Sequence, residues 1–249
     1  MTQHIGIVGC SAEGAALCYR TICKEGADIL GPHAHPEVSM HTPSLADYVL
    51  CLDRGDLAGV AELMLVSARK LAAAGADFLI CPDNTIHQAL PLVLPRSPLP
   101  WLHIADEVAR EAARRGYKQV GITGTKWLVD SNVYPDSLAA RGLRFSRPDE
   151  DDRITANRII MDELVYGRFA PSSIAAFQAI IARLQAKGCD AVALGCTEIP
   201  LIIDDTNSPL PTLDDPAARA RSVGTGRHGI AIIASVMDCG GQMRLATMG

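Results

Sequence analysis

Short apolar runs alternate with longer stretches of helical periodicity, and this alternation predicts an α/β fold. Ile5-Gly6-Ile7-Val8-Gly9, Phe78-Leu79-Ile80-Cys81, Gln119-Val120-Gly121-Ile122-Thr123 and Ala191-Val192-Ala193-Leu194 read as buried strands. Helical patterns cover 13–24, 57–74, 104–115, 130–141, 154–166 and 172–186. Pro135 is expected to break or delay the fourth of these. Ser173 is placed to cap the last, and Gly116 and Gly188 to end two helices. The Pro-rich stretch 91–100 is expected to loop over the surface, 204–216 is polar and turn-rich, and 230–237 is an apolar run that packs on the core as helix or strand.

Strands separated by amphipathic helices indicate parallel sheets covered on both faces. Ala-Gly-Ala-Asp-Phe-Leu-Ile-Cys (74–81) and Lys-Gly-Cys-Asp-Ala-Val-Ala-Leu (187–194) repeat one pattern: helix end, Gly turn, Asp, buried strand. Each strand then enters a polar loop, Pro82-Asp83-Asn84-Thr85 in one case and Gly195-Cys196-Thr197-Glu198 in the other. The expectation is two similar α/β lobes, each a mainly parallel sheet flanked by helices, with the loops at the carboxyl ends of strands where ligands bind.

Composition narrows the function classes. The chain has 249 residues, 48% hydrophobic and 20% charged, with a formal net charge of −5. That apolar fraction excludes intrinsic disorder. Mild acidity without a basic block gives no case for nucleic acid or a membrane surface as a partner. No apolar run reaches about 18–20 residues, so a spanning helix is not expected. The N-terminus enters a strand-like run at once and has no basic n-region, so the default is a cytoplasmic protein.

Eight cysteines form no CxxC pair, so they read first as small buried hydrophobes. Cys196 stands out because it follows a buried strand and a Gly and precedes Thr197 and Glu198. Backbone N–H groups in such a turn can hold an anion and lower a thiol pKa toward neutrality. Asp83, Asn84 and Thr85 occupy the equivalent point of the other half. Asn and Thr can donate to a carboxylate there, although an Asx-turn explains the same residues. His33-Ala34-His35 lacks a third ligand at metal-site spacing and reads as a surface loop. Gly9-Cys10-Ser11-Ala12-Glu13-Gly14 lacks the full GxGxxG, so a dinucleotide site is not expected.

Several motifs together resemble the aspartate/glutamate racemase superfamily, which also includes hydantoin racemases, maleate isomerases and arylmalonate decarboxylases. They are Gly-Ile-Val-Gly-Cys-Ser (6–11) with Glu13 and Tyr19-Arg20, Ala-Gly-Ala-Asp (74–77) leading to Asn84-Thr85 and His87, Gly124-Thr125, Asp152-Arg153, and Leu194-Gly195-Cys196-Thr197-Glu198-Ile199-Pro200. The last is highly specific. The resemblance implies a site in the cleft between two lobes, one formed by about 1–100 with 212–249 and the other by about 101–211. It implies no cofactor and no metal, a small carboxylic acid or amino acid as substrate, and a homodimer. Two bases would face each other across the cleft, one removing the α-proton and the other returning a proton to the opposite face.

The chain departs from this pattern at the first base, where the family's Cys before Asn-Thr is replaced by Asp83. Cys196 matches the second base. Cys81 lies two residues too early, about 6–7 Å deeper along a strand. Three roles are open for Asp83: a second acid/base, a partner for a substrate ammonium, or an inactivating change. The resemblance places Ser11, Asn84, Thr85, Thr125, Thr197 and Glu198 around the substrate, with His87 as an orienting residue. Leu128 and Arg219 replace residues common in the amino-acid branch, and Arg219 could hold a distal anionic group. The alternatives are a decarboxylase or cis–trans isomerase using Cys196 alone, and a non-catalytic small-acid-binding protein.

Overall fold

The structure, a computed structural model, describes residues 3–214. Two parallel sheets form the frame. The first has strand order β2-β1-β3, with β1 Ile5–Val8, β2 Val38–His41 and β3 Phe78–Ile80. The second has order β5-β4-β6-β7, with β4 Gln119–Gly124, β5 Arg144–Ser146, β6 Ala191–Gly195 and β7 Thr212–Asp214. The helices are α1 Ala12–Leu30, α2 Leu45–Asp53, α3 Leu57–Ala73, α4 Leu90–Val93, α5 Ile104–Arg114, α6 Lys126–Asp130, α7 Val133–Ala139, α8 Glu150–Asp162 and α9 Pro171–Ala186.

Alternation along each strand divides its side chains between two helix layers. Val8 and Leu79 face α3 through Val60, Met64 and Leu65. Ile5, Ile7, Phe78 and Ile80 face Cys18 and Ile22 of α1. In the second sheet Val192 and Leu194 pack on Phe177, Ile180, Ile181 and Leu184 of α9. Val120, Ile122, Ala191 and Ala193 pack on Ala105, Val108 and Ala109 of α5. Each fully buried Val, Leu, Ile or Phe contributes roughly 1.5–3 kcal/mol, so these two-sided cores hold the sheets rigid beneath the loops.

Several local expectations are corrected. Residues 212–214, assigned by sequence to the first lobe, form β7 and pair with β6 in the second sheet, through Val192↔Thr212 to Leu194↔Asp214. Ser173 does not cap α9: Ala170 holds that position, Pro171 opens the helix, and the Ser173 hydroxyl donates to Glu163. The 130–141 pattern shortens to α7, since a separate helix, α6, ends at Asp130, and Pro135 is tolerated in the first turn of α7, where its missing N–H has no helical partner to lose. The 91–100 stretch contains most of α4 and a following 3-10 turn, Leu94–Arg96, because Leu90 and Val93 find the first core. The edge strands β2 and β5 and helix α2 carry weak periodicity and were not anticipated. Gly116 and Gly188 do follow helix ends, with φ of +81° and +91°. Arg219, Cys239 and the apolar run 230–237 lie outside the described residues.

Candidate active site

Strand register brings the polar loops together. In the first sheet Ile7 pairs with Ile80, an offset of 73 residues. Extending that offset past the strand ends sets Cys10 opposite Asp83. In the second sheet Gly124 pairs with Gly195, an offset of 71. The same extension sets Thr125 opposite Cys196. Gly195 permits the close approach, since a Cβ there would lie 2.4 Å from Leu128 Cδ2 and 2.5 Å from Thr123 O. Leu128 is fully buried against this turn, where it cannot supply a hydroxyl.

All four loop ends open on one cleft. Its lining includes Ser11, Asp83, Asn84, Thr85, Thr125 and Cys196. Cys10 and Glu198 line it too. The free volume is about 40 Å³. Roughly 10–15 Å³ suffices for one water, so the cleft accepts only a small ligand as it stands.

Two hydrogen bonds join the lobes at this point. Thr85 Oγ1 and Thr125 Oγ1 are 2.9 Å apart, and the Tyr134 hydroxyl donates to Asn84 Oδ1 at 2.7 Å. The second bond orients Asn84: its oxygen is engaged, and its buried Nδ2 has no hydrogen-bond partner. Ser11 caps α1, its Oγ accepting from the Gly14 N–H at 3.1 Å, which leaves its own hydrogen available. Thr125 caps α6 in the same way, accepting from Leu128 N–H.

Asp83 is held by hydrogen bonds from the Ile86 and Thr85 backbone and from Cys10. Its Oδ1 accepts from Ile86 N–H at 3.1 Å, and Cys10 hydrogen-bonds to its carboxylate. Burial, followed by the charge of Glu198, pushes its pKa up to about 6, against the lowering effect of those donors. Cys81 lies underneath, its thiol directed at Asp83 O at 3.6 Å, and anchors backbone without lining the cleft.

On the opposite side Cys196 Sγ donates to Glu198 Oε2 at 3.0 Å. The expected depression of its pKa is overturned. Burial, reinforced by the Glu198 carboxylate, pushes the thiol well above its ordinary range, and one backbone hydrogen bond does not compensate. Cys196 is therefore a thiol near neutral pH. Glu198 Oε1 is buried without a hydrogen-bond partner.

Two predicted residues lie outside the lining. Thr197 is buried beside it, bonding Glu198 Oε2 at 3.3 Å and packing so closely on α1 that a Cβ at Gly14 would meet its hydroxyl at 2.6 Å. His87 sits behind Asp83. Ile104 N–H approaches its Nε2 at 3.4 Å, which assigns the ring proton to Nδ1 and makes it a donor to Asp83 O at 2.7 Å. Burial, then the neighbouring His103, lowers its pKa to about 3, so the ring is neutral. Cys10 was the residue that sequence reasoning passed over. The signal was available in its position three residues after Ile7, which matches that of Asp83 after Ile80.

Comparison with known proteins shows the family and the fold. Residues 6–223 match the family model described as Asp/Glu/Hydantoin racemase. The chain is 25% identical over 187 residues to the broad specificity amino-acid racemase RacX of Bacillus subtilis (strain 168), covering 74% of this chain and 77% of RacX. Among solved structures, a candidate Asp/Glu racemase from Yersinia pestis superposes with a TM-score of 0.81 at 27% identity, covering 95% of this chain and all of that one. An aspartate racemase homologue from Pyrococcus horikoshii OT3 gives 0.77 at 24% identity, with 95% and 100% coverage.

Proposed function

The chain belongs to the Asp/Glu/hydantoin racemase family and is an isomerase of the racemase type, and on that premise we propose that it inverts the α-carbon of an amino acid or related carboxylic acid between Asp83 and Cys196. The observation that carries this reading is that both groups line one cleft from different lobes. Their protonation states complement each other. With a pKa of about 6, Asp83 is mainly carboxylate at neutral pH, while Cys196 is a thiol.

In one direction Asp83 takes the α-proton, forming an O–H bond as the Cα–H bond breaks. The electron pair passes into the substrate carboxylate as an enediolate. Cys196 then gives its thiol proton to the opposite face, leaving the electron pair of the S–H bond on sulfur. The reverse direction uses the same atoms. Ser11, Asn84, Thr85 and Thr125 offer neutral donors to the enediolate oxygens, where charge develops. Thr197 and Glu198 complete the Cys196 side, and His87 acts as a positioning residue by holding the Asp83 backbone. We also propose that one lobe boundary falls near residue 100 and that the second lobe keeps β7, that the enzyme needs no metal or organic cofactor, that it works as a homodimer, and that it resides in the cytoplasm. No helix among the described residues is long and apolar enough to cross a membrane.

The test is α-proton exchange in heavy water with a panel of D- and L-amino acids and hydroxy acids. The reading predicts deuterium incorporation with loss of optical rotation in the unaltered protein, and loss of inversion in Cys196→Ala, where exchange continues only with the enantiomer that presents its α-proton to Asp83. If no member of the panel exchanges, the reading fails.

A further inference from the structure

We infer that the cleft selects a small α-amino acid with an uncharged, apolar side chain, in preference to an acidic one. The inference rests on the racemase reading of the same cleft and adds its substrate class.

Two unsatisfied atoms describe the ligand's polar end. Asn84 Nδ2 and Glu198 Oε1 are both buried, both belong to residues that line the cleft, and neither has a hydrogen-bond partner. Buried polar groups are rarely left unpaired, because each costs about 1–3 kcal/mol. One is a donor and the other an acceptor. A carboxylate and an ammonium on the same carbon satisfy both, and a simple carboxylic acid satisfies one.

The remaining wall describes the side chain. Leu45, Val49 and Leu52 form a stripe on α2 at i, i+4 and i+7, and all three line the cleft. Trp127, Ile160 and Met161 come from the second lobe and line it as well. Among the described lining residues there is no Lys or Arg. Lys126, next to Trp127 in sequence, is committed elsewhere: its Nζ lies 3.6 Å from Asp53 and 4.7 Å from the Trp127 ring centroid.

Charge decides against an acidic side chain. Asp83 and Glu198 already share the cleft, and both charges act on Cys196. A second substrate carboxylate would add like charge in a site of low dielectric where none of the described lining residues is a cation.

The experiment measures kcat/KM for α-proton exchange of alanine, 2-aminobutyrate and valine against aspartate, glutamate and lysine, using the full chain. The apolar group should lead aspartate and glutamate by roughly tenfold or more. Val49→Arg, which introduces a cation into the wall, should narrow that ratio. Aspartate, glutamate or lysine matching the apolar substrates in the unaltered protein overturns this inference while leaving the racemase reading intact. Absence of exchange with every amino acid overturns this inference, and absence with the hydroxy acids as well removes the racemase reading with it. If Val49→Arg fails to fold, the unaltered protein's ranking still decides.

Discussion

Cys196 Sγ donates to Glu198 Oε2 across 3.0 Å, so the thiol on the loop after β6 is held protonated by a carboxylate two residues away. Removing that charge should make the thiol easier to ionise. In Glu198→Gln the alkylation midpoint of Cys196, followed by mass spectrometry of its peptide over a pH series, should fall by about one unit or more. Burial remains, so the midpoint should stay above that of a free thiol. An unchanged midpoint would mean that desolvation alone sets the state of Cys196.

Asp83 supplies the pH dependence. As the proposed base it must be ionised, so kcat/KM should rise with pH through about 6 and then level. Asp83→Asn should lower kcat by about 10²–10⁴-fold, the usual worth of a positioned acid/base. Cys10 acts on the same group: its hydrogen bond lowers the Asp83 pKa, so Cys10→Ala should move the rising limb to higher pH. A merely structural cysteine would change amplitude and leave the limb in place.

His87 should make the fold sensitive to acid. Its folded pKa of about 3 lies below the ordinary value of 6.5, so the unfolded chain binds the extra proton first. Its contribution is complete above about 6.5 and is lost progressively as pH falls toward 3, by about 1.4 kcal/mol per pH unit. Asp83 contributes in the opposite sense between its ordinary 3.8 and about 6, a narrower window that offsets part of the loss. In His87→Asn, which keeps a donor for Asp83 O, Tm should fall less between pH 6.5 and 4 than it does in the unaltered protein. Parallel Tm curves would contradict the buried neutral imidazole.

Tyr134 orients a group it does not sit beside in sequence. Tyr134→Phe should leave Asn84 Oδ1 without its donor, at a stability cost of about 1–3 kcal/mol. The released amide can rotate and present oxygen where the enediolate needs a donor. kcat should therefore fall along with thermal stability, and the two can be read separately by assaying well below Tm. A full rate at that temperature would show that Asn84 keeps its orientation unaided.

Gly195 should tolerate no side chain. Gly195→Ala places a methyl against the Thr123 carbonyl and Leu128, so β4 and β6 must part at their ends. A cost of about 1–3 kcal/mol in denaturant unfolding is expected, together with a loss of rate, because the same shift separates Thr125 from Cys196.

The α/β architecture was legible in the chain because buried parallel strands need continuous apolar runs, and Ile5–Val8 and Ala191–Gly195 are such runs. The edge strands Val38–His41 and Arg144–Ser146 were not, since one side of each is unpaired and their side chains are largely accessible. The Gly-Cys-Thr-Glu loop and Asp83-Asn84-Thr85 were also legible, as polar segments directly after buried strands.

By itself, then, the sequence determined two parallel sheets, the strand ends that carry the polar loops, and the replacement of an expected cysteine by Asp83. Only the tertiary structure decided that Cys10 is the partner of Asp83, that Cys196 is a thiol, that Asn84 and Glu198 each leave an atom free, and that apolar residues from both lobes close the cleft. The reason is physical. Local pattern reports which face of an element is buried, whereas protonation state and recognition depend on desolvation and on neighbours through space. Those neighbours come from distant parts of the chain, as in Tyr134 with Asn84 and Thr85 with Thr125.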